Sequence, residues 1–259
     1  MKIGIITNLY PPYSRGGAEN IIVRTVGQLL ALGHDVFVIT SQPKKLGHKV
    51  VLDRSSTERV YRFYPTNLYF TLDDYKYPKF IRLFWHIFDT FSWGSANVVR
   101  DILSDERPDV VITHNLKGIG LNIPRVIQAA KIPHVHVLHD LQLLYPSGLL
   151  LSGEERRPWI FRPIYRTYQL LCRARLGKPD VVISPSEYLK QAYLAADFFT
   201  TAEFRVLRNP PPSHSAPRPL QRPPGTLRLF FVGQLADHKG VEFLLKAYGA
   251  MSQDRRLLI

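Results

Sequence analysis

Apolar residues in this chain gather in short runs rich in Val, Ile and Phe, and the runs alternate with stretches of helical spacing. Residues 2–7, 34–40, 108–114, 134–139 and 179–184 are nearly continuous apolar segments bounded by polar residues, Gly or Pro. Such runs predict strands covered on both faces rather than half-exposed ones. Between the first two, Ile22, Val23, Val26, Leu29 and Leu30 recur near helical spacing over 20–31, and Gly33 supplies a stop. Helices are likewise expected over 123–130, 163–176 and 187–194, while 80–103 reads as one long helix or a broken pair. Shorter strands are expected at 50–52, 59–64 and 204–207. Strand and helix in alternation predict βαβ units and an α/β, Rossmann-like, mainly parallel sheet over residues 1–208.

The texture changes after residue 208. Residues 209–225 hold seven prolines, which cannot pair in a sheet, so 209–226 is expected to be an extended linker. A second strand–turn–helix pattern then starts: a strand at 227–232, a helix at 241–251 and a strand at 257–259. Residues 227–259 are therefore expected to be the incomplete start of a second Rossmann-like domain. An unfinished apolar unit of that kind is expected to dock on the first domain or to self-associate.

Charge adds the next constraint. Against 21 Asp plus Glu stand 34 Lys plus Arg, a net charge of +13 over 259 residues. That field attracts polyanions or phosphate-bearing small molecules; nucleic-acid binding would rest on charge alone and is not expected. The single cysteine, Cys172, fits a reducing compartment and a small buried residue. The N-terminal run is too short for a secretory signal, and no stretch nears the ~20 apolar residues that span a bilayer. A cytoplasmic protein, peripheral at the inner face of the membrane at most, is expected.

Four places could carry chemistry. In the loop after the first strand, Arg15, Gly16 and Gly17 precede a helix, where glycines let backbone N–H groups approach a phosphate; a plain tight turn is the alternative. His114 and the pair His139-Asp140 stand at C-terminal strand ends, the edge where open α/β sheets bind ligands, although a histidine there can be purely structural. Neighbours at a strand end point oppositely, which argues against His139 pairing with Asp140. In the second unit, Gly233 to Lys239 delivers a lysine to a helix start, where only an anion offsets the dipole. Finally, residues 156–178 interleave seven cations with Trp159, Phe161, Tyr165 and Tyr168, which reads either as a solvated face or as a surface for anionic headgroups.

In order, the chain holds Gly16-Gly17-Ala18-Glu19, Pro108-Asp109-Val110-Val111 with His114, His139-Asp140, Pro185-Ser186-Glu187, Arg208-Asn209-Pro210, and Gly233, Leu235, Lys239 and Gly240. This series resembles the retaining glycosyltransferases of family 4, whose two Rossmann-like domains face each other in the GT-B arrangement. The stretch from His139 to Pro146 is also similar to members acting on cell-surface polysaccharide precursors.

The resemblance implies transfer of a sugar from a nucleotide sugar to a polysaccharide-precursor, lipid-linked or other acceptor, without metal or cofactor. It implies that Gly16 and Gly17 approach the donor diphosphate or sugar, that His139 contacts the sugar near the reacting centre, and that Lys239 stabilises the diphosphate. Gln234 stands where the family usually has arginine, and a neutral amide cannot replace that charge. His114, Asp140 and Arg15 are acceptor-side candidates. The family's pair of glutamates is expected beyond Ile259, so this chain is expected to be truncated within the donor-binding domain and to turn over little. The alternative is a non-catalytic acceptor- or membrane-binding fragment. A dinucleotide oxidoreductase is disfavoured because no G-x-G-x-x-G follows the first strand.

Overall fold

The computed structural model describes residues 1–44, 50–54, 57–146, 148, 162–210, 229–233, 235 and 239–251. It divides into two compact units, Met1–Pro210 and Pro211–Ile259.

The first unit is built on an eight-stranded sheet: β1 (Lys2–Ile6), β2 (Asp35–Ser41), β3 (Val51–Asp53), β4 (Arg59–Phe63), β5 (Val110–Thr113), β6 (His134–Val137), β7 (Val181–Ser184) and β8 (Glu203–Val206). Their order is β3-β4-β2-β1-β5-β6-β7-β8. Every pair is parallel except β3 with β4, an antiparallel edge. Side chains alternate across each strand, so one strand feeds two cores. Ile3, Ile5, Val36 and Val38 pack with Ile22 and Val26 of α1 (Gly17–Ala31). Ile6, Phe37, Ile39 and Val111 join the opposite core, to which α3 (Trp93–Glu106), α4 (Ile123–Ala129), α5 (Arg162–Leu176) and α6 (Glu187–Leu194) contribute Val99, Ile127, Cys172 and Leu189. Gly4 lies directly under the Phe37 ring. A Cβ there would stand 2.7 Å from Phe37 Cζ, so the close approach of two central strands needs glycine.

Three differences from the expected elements have local causes. Helix α1 starts three residues early because the Glu19 carboxylate accepts the backbone N–H of Gly16 at 2.9 Å, closing the first turn. The 80–103 pattern is a broken pair, α2 (Lys79–Thr90) and α3; the chain turns at Phe91-Ser92, where Ser92 Oγ donates to Ser95 Oγ at 2.8 Å. In the second unit, α7 (Val241–Ala250) forms as expected, but residues 229–232 carry no strand. A β-rich run becomes a strand only by pairing, and among the described residues this one has no neighbour. The expected strand at 257–259 and most of the 209–226 linker lie outside the described residues. None of the described helices is long and apolar enough to cross a membrane.

Candidate functional site

The sheet order places a switch point beside β1. From β1 the chain moves outward to β2 and β4, then returns to β5 on the other flank. Loops leaving β1 and β5 therefore diverge at their C-terminal ends and leave a crevice, the position where open α/β sheets bind ligands. The loops are stitched together at its floor. Asn8 N donates to Asn115 O at 2.8 Å, Asn8 Nδ2 to Lys117 O at 2.9 Å, and His114 N to Ile6 O at 2.9 Å.

Two of the sequence-predicted residues meet here. His114, the first residue past β5, and His139, two past β6, share a hydrogen bond of 2.9 Å between His114 Nδ1 and His139 Nε2, with ring centroids 5.1 Å apart. His114 is 1% exposed, and its Nε2 has no partner. A buried N–H left without an acceptor is rarer and costlier than a buried lone pair, so the His114 proton belongs on Nδ1, which donates to His139. His139 then carries its own proton on Nδ1 and can act as a donor. Both rings are neutral near pH 7. Burial lowers His139 from 6.5 to about 4, and burial together with the neighbouring His139 and His136 takes His114 well below 6.5.

The expectation that His139 and Asp140 do not pair agrees with the contacts. Asp140 Oδ1 accepts the Gln142 N–H at 2.8 Å, and its backbone carbonyl accepts Tyr193 Oη at 2.9 Å. Burial raises the Asp140 pKa, and Glu19 in the first turn of α1 raises it further, so the α1 start and the β6 end lie within electrostatic reach. Gly16 and Gly17 are exposed, and a Cβ on either would meet nothing within 4 Å. Nothing in the fold itself therefore requires glycine at these two positions. Arg15 is held to one side, donating from Nη2 to Thr71 O at 3.1 Å and to Asp74 Oδ1 at 2.8 Å in the 3-10 turn Thr71–Lys76.

In the second unit, Lys239 is exposed and immediately precedes Gly240, the residue that caps α7; Gln234 lies outside the described residues. Of the basic segment 156–178, residues 156–161 lie outside them as well. Within α5 the aromatics do not interleave with cations on one outer face: Tyr168 Oη donates inward to Gln142 O at 2.6 Å, and Tyr165 stacks edge-on against Tyr145. Among the described residues, no group of three His, Cys, Asp or Glu is placed to hold a metal. Cys172 is buried, with its thiol pushed up to about 12, which leaves it inert as a nucleophile.

Sequence reasoning missed the layer beneath. Thr113 Oγ1 bridges His134 Nε2 at 2.7 Å and His136 Nδ1 at 2.8 Å, so two more histidines, within β6 itself, lie below the His114–His139 pair. Asp89 of α2, fully buried, accepts the Gly118 N–H on both oxygens at 2.9 Å and thereby clamps the loop after β5. Burial pushes the Asp89 pKa up to about 7, and Lys117 next to it is lowered by its own burial. Asp89 did leave a signal: it is the lone acidic residue in an aromatic, strongly periodic helix.

The profile described as Glycosyltransferase Family 4 matches residues 15–211. An uncharacterized 42.6 kDa protein in the cps region of Klebsiella pneumoniae is 27% identical over 248 residues, covering 95% of this chain and 64% of that protein. Among solved structures, a sucrose-phosphate synthase from Thermosynechococcus elongatus superposes with a TM-score of 0.51 at 18% identity, over 80% of this chain and 47% of that one. A trehalose-6-phosphate structure from E. coli, bound with UDP-2-fluoro glucose, gives a TM-score of 0.45 at 15% identity over 80% and 48%. The chain thus spans just under two thirds of its curated relative and about half of these structures. The mainly parallel, Rossmann-like sheet of the first unit shares its fold with the sucrose-phosphate synthase structure.

Proposed function

Because this chain belongs to glycosyltransferase family 4, we propose that Met1–Pro210 forms the acceptor-side domain of an enzyme that moves a sugar from a nucleotide sugar to a carbohydrate or lipid-linked acceptor. In that reaction the bond from the anomeric carbon to the donor diphosphate breaks, and a bond to an acceptor hydroxyl oxygen forms. The hydroxyl proton passes to the departing diphosphate, which would favour retention of configuration without a protein nucleophile. The observation that carries the reading is the His114–His139 pair at the switch-point crevice: two imidazoles joined at 2.9 Å, in a tautomer assignment that leaves the His139 Nδ1–H as a donor.

His139 is assigned to donate to a hydroxyl of the transferred sugar near the reacting carbon. Neutrality suits that task, since a donor that keeps its proton across the physiological range does not lose function by titration. Gly16 and Gly17 are assigned to admit the donor diphosphate or sugar at the start of α1, where backbone N–H groups and the helix dipole favour an anion. The open space at both positions supports this. Lys239 is assigned to the diphosphate and Asp140 to an acceptor hydroxyl.

The test uses uridine diphosphate glucose and the intact chain, with binding read by ligand-observed NMR. Gly17→Val should weaken binding roughly tenfold or more by occupying the approach path, a loss equal to about 1.4 kcal/mol. Its melting temperature should change little, because position 17 is exposed and a Cβ there has nothing within 4 Å. His139→Ala should weaken binding by a similar factor. Binding that survives both substitutions overturns the assignment.

A further inference from the structure

Helix α2 is amphipathic with its faces reversed relative to a core helix. Phe80, Leu83, Phe84, Ile87 and Phe88 are 64%, 61%, 54%, 48% and 49% exposed, and with exposed Phe91 they recur at i, i+3, i+4, i+7, i+8 and i+11. That spacing draws one continuous apolar stripe along the helix. The polar residues face inward. Asp89 grips Gly118, Arg82 Nε donates to Tyr77 O at 2.9 Å, and His86 is buried enough to be lowered to about 3. Trp85, the large aromatic off the stripe, is buried and donates to Tyr69 O at 2.9 Å. The helix is therefore anchored by its polar side and presents its apolar side outward.

We propose that the outward face of α2 docks on an anionic phospholipid bilayer, lying in the plane of the interface. Three observations select lipid over a second copy. The acidic count on this helix is one, and that residue, Asp89, is turned inward, so the exposed stripe meets a surface without a carboxylate from its own helix. Exposed Tyr75 and Trp93 bracket the stripe, the amphipathic aromatics that settle at headgroup depth. Two copies each carrying +13 would repel, whereas an anionic surface attracts that charge, each basic residue near it contributing about 1 kcal/mol. Helix α5, which packs on α2, also carries the exposed residues Ile164, Arg166 and Leu170. The inference does not depend on the sugar-transfer reading, since docking is measured without substrate.

The experiment is cosedimentation of the intact chain with sucrose-loaded vesicles of phosphatidylglycerol and phosphatidylcholine, beside vesicles of phosphatidylcholine alone. Phe84→Gln with Phe88→Gln should lower partitioning about a hundredfold, roughly tenfold for each aromatic kept from the interface. Melting temperature should hold, because both side chains are exposed. Leu83→Gln with Ile87→Gln tests the same stripe should the first pair perturb folding. Leu32→Gln, at an exposed apolar residue beyond the end of α1, should change nothing. Salt should weaken binding to the anionic vesicles and leave a residual that the α2 variants remove. The proposal is overturned by wild-type chain that ignores vesicles, by binding equal in the α2 variants, or by a dimer in sedimentation velocity that those variants dissolve, which would give the face to a second copy.

Discussion

Acidification should unfold the first unit well above the pH at which its carboxylates titrate, because its histidines are buried neutral. Burial lowers His134 and His139 from 6.5 to about 4 and His86 to about 3, and burial with neighbouring histidines takes His114 and His136 well below 6.5. A histidine whose folded pKa lies below its unfolded one binds more protons when unfolded. Its contribution is complete above 6.5 and declines as pH falls toward the folded value. Asp89 works in the opposite direction. With its folded pKa raised from 3.8 to about 7, it is protonated in the folded chain and ionised in the unfolded one, so it gains stability on acidification. Three histidines with these values, less Asp89, leave a net uptake of nearly two protons on unfolding near pH 5.5, or about 2–3 kcal/mol per pH unit at ~1.36 kcal/mol per proton. His114 and His136 add to this, and Asp140, raised by burial, subtracts. Even about 2–3 kcal/mol is a sizeable part of the ~5–15 kcal/mol that holds a domain together. Melting followed by circular dichroism should fall by about 4–12 °C between pH 6 and pH 5, given ~2–4 °C per kcal/mol at this size. His139→Gln should flatten the slope by about one proton. A melting temperature that is level or rising over that interval would refute the argument that these rings are neutral and desolvated.

Two further substitutions test the scaffold of the site. Gly118→Ala places a side chain at φ +96° with its Cβ 2.9 Å from Thr71 Cβ, so it should cost about 2–4 kcal/mol in chemical denaturation; a neutral result would mean the Asp89 clamp is loose. Glu106 is held down to about 2 by Arg59, Tyr61 and Lys2 against the penalty of its own burial, and Glu106→Gln should cost about 1–3 kcal/mol, nearer the lower figure because Arg59 opens to solvent. The sign follows from the depressed pKa: the wild-type advantage is complete above 4.5 and disappears as pH falls through 2, so the two proteins should converge in acid.

How much of this was legible in the sequence depends on whether the information is local. The central strands could be read because a strand buried on both faces is apolar throughout, as Val36 to Ile39 and Val181 to Ile183 are. His114 and His139 could be picked out because a strand end in such a sheet is a ligand edge. Their hydrogen bond could not, because it depends on register. Pairing of Thr113 with His136 sets β6 against β5 so that His139, three residues on, reaches back over His114. The same register brings His134 and His136 to either side of the Thr113 hydroxyl, which no spacing along the chain reveals. The run at 229–232 failed as a strand for the complementary reason: its composition was right, but a strand is completed by a partner, and composition does not supply one.

Helix α2 shows the limit of periodicity most plainly. A stripe at helical spacing identifies a face but not the direction in which it points, and the usual rule would have sent Phe84 and Phe88 into the core. Direction was decided elsewhere, by the need of Gly118 N for an acceptor and by the fit of Trp85 against Tyr69 at 5.5 Å between ring centroids. Those contacts turn the polar side inward and expose the apolar one. They also join two functions mechanically. The helix that carries the proposed lipid-facing stripe holds, through Asp89 on its opposite side, the loop that begins at His114. Docking through Phe84 and Phe88 would then fix the tilt of the switch-point crevice relative to the bilayer, and a lipid-linked acceptor emerging from that surface would meet Asp140 from a constant direction. An enzyme with a water-borne acceptor gains nothing from such an arrangement, so vesicle binding and acceptor preference should be lost or kept together in the α2 variants.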